Sequence, residues 1–237
     1  DRVALGCGGL AMAAWSSNSM SIEFWDEGLH HVQEIAAKGT ISSIAIGSGR
    51  LAISTDQSLE LIENTTQSQR SVLADGASLS VMAFDRGGAW LVGAREGYRP
   101  SIGIDYSSEE GAKPRARDPP VVRLWQVATG KGPFSYSVEK RVRSVALWGG
   151  NIIFGAGGDR FGGNLFELDA TLGEAPLNPV SHKTLRYKEE ATAVAVSQDG
   201  SLHAAAIADG RTYIRVGHGK FVALPSAPDR IARLAFT

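Results

Sequence analysis

The stretch VAVSQDGSLHAAAIADGRTYIRV (residues 194–216) contains three short apolar runs, separated by two polar segments that include glycine. In its third run apolar and polar residues alternate, as they do in a β-strand whose two faces have different surroundings. A helix would instead repeat its apolar residues every three or four positions. The stretch therefore predicts three consecutive antiparallel strands joined by tight turns.

Four other parts of the chain have the same plan, and they begin with RVALGCGG at residue 2, SSIAIGSG at 42, SVMAFDRGG at 80 and SVALWGG at 144. In each third strand we expect the apolar residues on one buried face and the charged residue between them on the other. The expected buried pairs are Ile22 with Phe24, Leu59 with Leu61, Val122 with Leu124, Phe166 with Leu168, and Ile214 with Val216. The charged residues facing the other way are Glu23, Glu60, Arg123, Glu167 and Arg215.

Most of these repeats are spaced like the four-stranded blades of a β-propeller, which recur every ~40 to 50 residues. The segments SIEFWDEG (21–28) and VVRLWQVATGKG (121–132) resemble the closing strand and turn of WD40 repeats, and residues 194–216 resemble the body of one. The resemblance covers nearly the whole chain, although only Trp25-Asp26 is a literal Trp-Asp pair.

The pattern and the resemblance together imply an all-β fold, a β-propeller of four-stranded antiparallel blades. The expected blades are residues 1–39, 40–75, 76–139, 140–190 and 191–229, and residues 230–237 begin an incomplete sixth. Propellers of this kind usually have more blades, and an open arc would leave sheet faces and edges exposed. We therefore expect the ring to be completed by residues outside this sequence or by another chain.

Composition limits the classes of partner. The 237 residues include 24 Lys and Arg and 25 Asp and Glu, so a formal net charge of -1 gives no general attraction for nucleic acid or a membrane surface. The single cysteine, Cys7, excludes an intrachain disulfide and favours a reducing compartment, so we expect a cytoplasmic protein.

No motif points to catalysis. The segment LGCGGLA (5–11) has the glycines of a dinucleotide-binding turn, but too few residues follow it for a crossover helix. The five histidines lack metal-ligand spacing, and no nucleophile motif occurs. We expect no catalytic residue, cofactor or metal. A propeller-type hydrolase or lyase would need Asp, Glu, His or a metal converging from several blades at the central channel. Asp56, Asp159 and Asp209 are the candidates, although aspartate in turns more often stabilises the turn itself.

A long insertion (residues 95–120) interrupts the repeat between the second and third strands of the third blade. Loops longer than about 12 to 15 residues are usually functional or disordered. The insertion contains Arg and Tyr, which are favoured at interface hot spots. A short insertion (residues 157–163) occupies the equivalent connection of the next blade. The candidate partner-binding residues are Arg95, Tyr98, Arg99, Tyr106, Lys113, Arg115, Arg117, Arg160 and Phe161.

The resemblance implies that both insertions open on the end of the ring that carries the loops between blades. It also implies a non-catalytic interaction, sensor or scaffold module of a larger signalling or regulatory protein, which binds a protein or peptide partner. Three alternatives stay open. The long insertion could be a loop that is merely tolerated at the surface. The protein could be an enzyme with a site at the central channel. It could also bind nucleic acid through the insertion, against which the near-neutral charge argues.

Overall fold

The computed structural model describes residues 2–5, 12–16, 20–25, 28, 30–63, 69–75, 78–95, 120–138, 141–149, 151–157, 163–169, 185–187, 191–225, 231 and 233–236. In these ranges the chain forms twenty β-strands and one short 3-10 turn. The strands assemble into five antiparallel sheets of four, and each sheet uses consecutive strands in chain order. We number these sheets blades 1 to 5. The all-β propeller of four-stranded blades expected from the sequence is confirmed.

The strands of each blade have the following bounds. Blade 1 contains β1 (Arg2–Leu5), β2 (Met12–Trp15), β3 (Ser21–Trp25) and β4 (His31–Ala36). Blade 2 contains β5 (Ile41–Gly47), β6 (Arg50–Thr55), β7 (Ser58–Glu63) and β8 (Gln69–Asp75). Blade 3 contains β9 (Val81–Phe84), β10 (Trp90–Arg95), β11 (Val121–Gln126) and β12 (Lys131–Ser137), with the 3-10 turn Val127–Thr129 after β11. Blade 4 contains β13 (Val142–Trp148), β14 (Asn151–Ala156), β15 (Gly163–Asp169) and β16 (Leu185–Tyr187). Blade 5 contains β17 (Ala191–Val196), β18 (Leu202–Ile207), β19 (Thr212–Val216) and β20 (Val222–Ala223).

Local sequence explains how the β5–β6 hairpin of blade 2 closes. In blade 2, Gly47 pairs with Arg50, so Ser48 and Gly49 alone connect β5 to β6. Both residues have positive φ, 41° and 74°. A two-residue turn with positive φ at both positions has the backbone twist that antiparallel strands need, and it favours glycine. The flanking strands ISSIAIG and RLAIST are rich in β-branched residues, which pack well on a pleated surface.

Neighbouring blades pack face to face through apolar side chains. One cluster joins blades 1 and 2, a second joins blades 2 and 3, a third joins blades 3 and 4, and a smaller fourth joins blades 4 and 5. The third cluster includes Leu124 of β11 and Phe154 of β14, both fully buried. Phe154 also stacks on Phe166, with the ring centroids 4.9 Å apart. An interior blade is therefore covered on both faces.

The expectation of a single buried face is consequently wrong for blade 2, where both faces are covered, and reversed in blade 5, where the covered face is the opposite one. Glu60 and Arg215, which were expected on the opposite face, are 1% and 4% exposed because the neighbouring blade covers that face. Val216, expected to be buried, is 68% exposed. In the third strand of blade 4 the apolar and polar positions are shifted by one residue relative to blade 3. Glu167 pairs with Ile153 of β14 at the position where, in blade 3, Leu124 pairs with Val92 of β10. Leu168 accordingly packs toward blade 3, and Glu167 faces blade 5.

Candidate interaction surface

Contacts within the structure show that two kinds of connection share one end of the propeller. Thr40 lies in the connection from blade 1 to blade 2, and Asp56 lies in the β6–β7 turn. The Thr40 amide donates to Asp56 Oδ1 at 2.9 Å, and the Asp56 amide donates to the Thr40 carbonyl at 3.1 Å. Turns between second and third strands therefore meet the connections between successive blades, as the sequence resemblance implied.

The same arrangement brings the bases of both insertions together. Pro120, at the end of the long insertion, accepts a hydrogen bond from the Val138 amide at 2.9 Å. Gly157, at the start of the short insertion, donates from its amide to the Arg141 carbonyl at 2.9 Å. Val138 and Arg141 both belong to the connection from blade 3 to blade 4. The two insertions thus flank this one connection, residues 138–141.

The long insertion is anchored by a complete strand pair. β10 and β11 pair without a break from Trp90 opposite Gln126 to Arg95 opposite Val121. Residues directly opposite in an antiparallel pair have Cα atoms about 4.5 to 5.5 Å apart, so the chain leaves and re-enters blade 3 at adjacent points. Arg95 is half-buried at this point. The other candidate partner-binding residues lie outside the described residues and stay predictions: Tyr98, Arg99, Tyr106, Lys113, Arg115, Arg117, Arg160 and Phe161.

The aspartates proposed for a channel site have local partners. Asp56 binds Thr40 as described above, and Asp209 Oδ1 accepts a hydrogen bond from the Arg211 amide at 3.0 Å. The carboxylate of Asp209 also pairs with the Arg211 guanidinium, which lowers the pKa of Asp209. Both aspartates are exposed turn residues, whereas Asp159 lies outside the described ranges. In the part of the chain that the structure describes, no group of three His, Cys, Asp or Glu side chains could hold a metal ion.

A buried charge cluster between blades 4 and 5 was not anticipated from the sequence. Arg215 Nη2 lies 3.0 and 3.1 Å from the two carboxylate oxygens of Glu167 and 2.6 Å from His203 Nδ1. The guanidinium carbon lies 4.9 Å from the ring centroid of Phe221. The side chains of Arg215, His203 and Glu167 are 4%, 8% and 16% exposed. The cluster therefore joins the third strand of blade 4 to the second and third strands of blade 5.

The pairing register shows which residues replace this cluster at the junction of blades 2 and 3. His203 and Arg215 face each other across β18 and β19 at the position where Leu91 and Trp125 face each other across β10 and β11. Glu167 of β15 occupies the position of Leu61 in β7. Leu61, Leu91 and Trp125 form part of one apolar cluster. The chain thus uses three apolar residues at one junction and three polar residues at the other.

The hydrogen bonds of His203 determine which of its nitrogens carries a proton. Its Nε2 lies 3.1 Å from the Gly200 carbonyl oxygen, which can only accept. Its Nδ1 lies beside Arg215, which can only donate. The neutral ring with the proton on Nε2 satisfies both neighbours. Burial of the ring and, secondarily, the nearby Arg215 charge lower the pKa of His203, which favours this neutral form.

The turn that presents the Gly200 carbonyl is held by Asp199. Its Oδ1 accepts hydrogen bonds from Ser197 Oγ at 2.6 Å, from the Ser201 amide at 3.0 Å and from Ser201 Oγ at 2.8 Å. These bonds favour the charged carboxylate and lower the pKa of Asp199 to about 2. The turn therefore keeps its hydrogen bonds well into the acid range, and it fixes the acceptor for His203.

One face of blade 5 is largely uncovered. Val216, Val222 and Leu224 are 68%, 62% and 42% exposed, and they lie on the same face as the half-buried Ile214. Leu124, which occupies in blade 3 the position of Ile214 in blade 5, is fully buried because blade 4 packs on it. We call these four residues of blade 5 the open face.

The chain after blade 5 runs beside the innermost strand of that blade. Thr192 Oγ1 of β17 donates to the Ile231 carbonyl at 2.6 Å. A similar bond joins blades 2 and 3, where Ser43 Oγ of β5 donates to the Leu79 carbonyl at 2.7 Å just before β9. Residues 231 and 233–236 form no strand pair with the other described residues. Ile231 thus lies beside β17, much as Leu79 lies beside β5.

Solved structures with the same fold support the propeller architecture. A β-propeller domain of Cps50 (Swd1) from Myceliophteria thermophila matches with a TM-score of 0.62 and 13% identity, over 99% of this chain and 75% of that one. Hydrazine synthase from Kuenenia stuttgartiensis matches with a TM-score of 0.66 and 12% identity, over 98% and 76%. A chain of a mitotic checkpoint complex matches with a TM-score of 0.66 and 16% identity, over 98% and 69%.

At the level of sequence, neither a protein-family model nor a curated protein matches the chain. The similarity to the solved structures therefore concerns the fold, which is that of WD40-type β-propellers. No helix within the described residues has the length and apolar character needed to cross a membrane.

Proposed function

We propose that this propeller is a non-catalytic module that binds a protein or peptide partner through the end bearing the two insertions. The observation that carries the proposal is the convergence of both insertions on the connection at residues 138–141, through the bonds of Pro120 to Val138 and of Gly157 to Arg141. The described ends of both insertions lie at this one connection, and loops carried by a rigid sheet are where binding residues are commonly found.

The structural comparisons support partner binding at a coarse level. One similar structure comes from a multi-protein assembly, the mitotic checkpoint complex. Another comes from an enzyme, hydrazine synthase, so the fold alone does not decide between binding and catalysis. The local hydrogen bonds of Asp56 and Asp209 favour binding over a channel enzyme, since both carboxylates serve their own turns.

Nucleic-acid binding through the long insertion receives little support from its charge. Residues 95–120 contain five basic residues, but also five acidic ones. Binding to a phosphate backbone depends on an excess of Lys and Arg. A protein or peptide surface, which can complement both signs of charge, is the better fit. We place this function in a sensor or scaffold part of a larger regulatory protein and, because Cys7 is the only cysteine, in the cytoplasm.

A charge-reversal experiment tests the binding surface. Arg115→Glu/Arg117→Glu changes the long insertion, and Arg86→Glu/Lys131→Glu makes the same charge change on exposed residues at the opposite end of blade 3. Proteins captured from cells of the source organism would be quantified by mass spectrometry for the unmodified chain and both variants. We expect recovery of the principal partner to fall at least tenfold for the first variant alone.

Equal recovery with both variants, or loss only with the Arg86/Lys131 variant, would remove the insertion end from the proposal. Circular dichroism of both variants provides the folding control, and the two control positions lie in the β9–β10 turn and at the start of an outermost strand.

We further propose that the open face of blade 5 packs against another blade whose innermost strand includes residues 231–236. The bond from Thr192 to Ile231 supports this, because it is similar to the bond from Ser43 to Leu79 before blade 3, although Thr192 corresponds in register to Ser42, the residue before Ser43. The remaining strands come from residues outside this sequence or from another chain. An exposed apolar sheet face of this kind is typical of an interaction site.

Cysteine labelling tests this packing. Val216→Cys and the control Val72→Cys, at an exposed position on blade 2, are introduced together with Cys7→Ser. Maleimide labelling is compared between residues 1–237 produced alone and the same residues in the source cell. We expect Cys at 216 to be protected in the cell at least tenfold relative to Cys at 72. Equal labelling of the two positions in the cell would contradict a covering blade.

A further inference from the structure

His203 is the titratable member of the charge cluster between blades 4 and 5. The ring is buried and connects two neighbours, because Nε2 donates to the Gly200 carbonyl at 3.1 Å and Nδ1 accepts from Arg215 at 2.6 Å. Glu167 Oε1 lies 4.0 Å from the same Nδ1. A single nitrogen thus lies within reach of both a cation and an anion.

The charged groups around this ring come from several elements. Arg215 approaches from β19 and Glu167 from β15 of blade 4, and His218, in the turn after β19, also exerts an electrostatic effect on the ring. Asp199 lies in the β17–β18 turn beside Gly200, where its carboxylate is occupied by Ser197 and Ser201. Only Glu167 therefore offers an acceptor to a proton on Nδ1 among these groups.

We propose that His203 is a proton-sensitive latch that holds blade 4 to blade 5 in its neutral form and releases Arg215 when it is protonated. A proton taken from solvent binds Nδ1, so the Arg215 hydrogen bond to that nitrogen is lost. The imidazolium and the guanidinium then repel each other, and the new Nδ1–H competes for Glu167 Oε1. Arg215 loses contacts with both partners, and its stacking on Phe221 is no longer held in place.

The direction of the pH effect follows from the lowered pKa of His203. Between that pKa and the value of about 6.5 for a solvated histidine, the opened junction binds more protons than the closed one. The latch is therefore fully effective above pH 6.5 and weakens as the pH falls toward the pKa of the folded protein. Its opening constant should rise about tenfold for each unit by which the folded-state pKa lies below 6.5.

Amide hydrogen exchange between pH 7.5 and 5 measures this opening directly. After correction for intrinsic exchange rates, we expect β18 and β19 to lose protection with falling pH, whereas β6 and β10, at the apolar junction of blades 2 and 3, do not. His203→Gln keeps an oxygen that accepts from Arg215 but does not titrate, so its β18 and β19 protection should be independent of pH. His218→Gln should retain most of the dependence, because His218 is the weakest of the influences that lower the pKa of His203.

Nitrogen NMR of the labelled His203 ring adds a measurement that does not depend on any variant folding. We expect the tautomer with the proton on Nε2 at pH 7.5. A proton on Nδ1 at that pH, unchanged β18 and β19 protection down to pH 5, or a pH dependence that persists in His203→Gln would each overturn the proposal.

Discussion

Removing Arg215 tests the charge cluster most severely. Arg215→Leu leaves the Glu167 carboxylate without the guanidinium that binds both of its oxygens, and it leaves His203 Nδ1 without its donor. Removing one partner of a buried ion pair costs about 3 to 5 kcal/mol. Because Glu167 is 16% exposed and gains some water, we expect the lower end, about 3 kcal/mol.

The chain itself supplies the matched control. The triple variant Glu167→Leu/His203→Leu/Arg215→Trp places at this junction the residues found at the equivalent positions between blades 2 and 3, which are Leu61, Leu91 and Trp125. Replacing a buried charge cluster by packed apolar residues is typically neutral or stabilising by roughly 1 to 4 kcal/mol. We therefore expect the triple variant to be at least as stable as the unmodified chain.

Thermal unfolding followed by circular dichroism and calorimetry separates these outcomes. At this chain length about 1 kcal/mol changes Tm by roughly 2 to 4 °C, so Arg215→Leu should lower Tm by about 6 to 12 °C. A loss below about 1 kcal/mol would be the value of a surface ion pair and would refute a buried cluster. A triple variant as unstable as Arg215→Leu would refute the structural equivalence of the two junctions.

Two further predictions concern contacts between blades. A Cβ added in Gly200→Ala would overlap the indole ring of Trp148, whereas in Gly49→Ala, where φ is 74° against 73°, it meets open space. We expect Gly200→Ala to lower the free energy of unfolding, measured by urea titration, by about 1 to 3 kcal/mol more than Gly49→Ala. Equal losses for the two variants would show that the Trp148 contact does not contribute to stability. Ser43→Ala removes the buried donor to the Leu79 carbonyl and should cost about 1 to 3 kcal/mol in the same titration, and a loss under about 0.5 kcal/mol would contradict a specific bond between blades 2 and 3.

The strands could be predicted from sequence because their determinants are local. Alternation in segments such as residues 212–216, together with glycine at turns such as Ser48-Gly49, indicates strands and hairpins without knowledge of the rest of the fold. Four-stranded sheets in chain order then follow from the repeat. The error concerned burial, because alternation distinguishes the two faces of a strand but does not say what covers each of them.

The charge cluster shows this limit at particular residues. Arg215 looked like a residue pointing away from the core, yet blade 4 covers that side and brings Glu167 to it. The signal that could have found it was a position-by-position comparison of the repeats, since His203 and Arg215 stand where Leu91 and Trp125 stand in blade 3. The open face could not be predicted, because a buried and an uncovered third strand have the same alternating sequence.

Site-specific photo-crosslinking in the source cell tests the central claim most directly, namely that the end bearing the insertions binds a protein partner. A photoreactive phenylalanine analogue would replace Arg115 in the long insertion or, as the control, Arg86 in the β9–β10 turn at the opposite end of blade 3. The account predicts a discrete covalent adduct with another protein from position 115 and none from position 86. An adduct from position 86 alone, or none from either position, would contradict it.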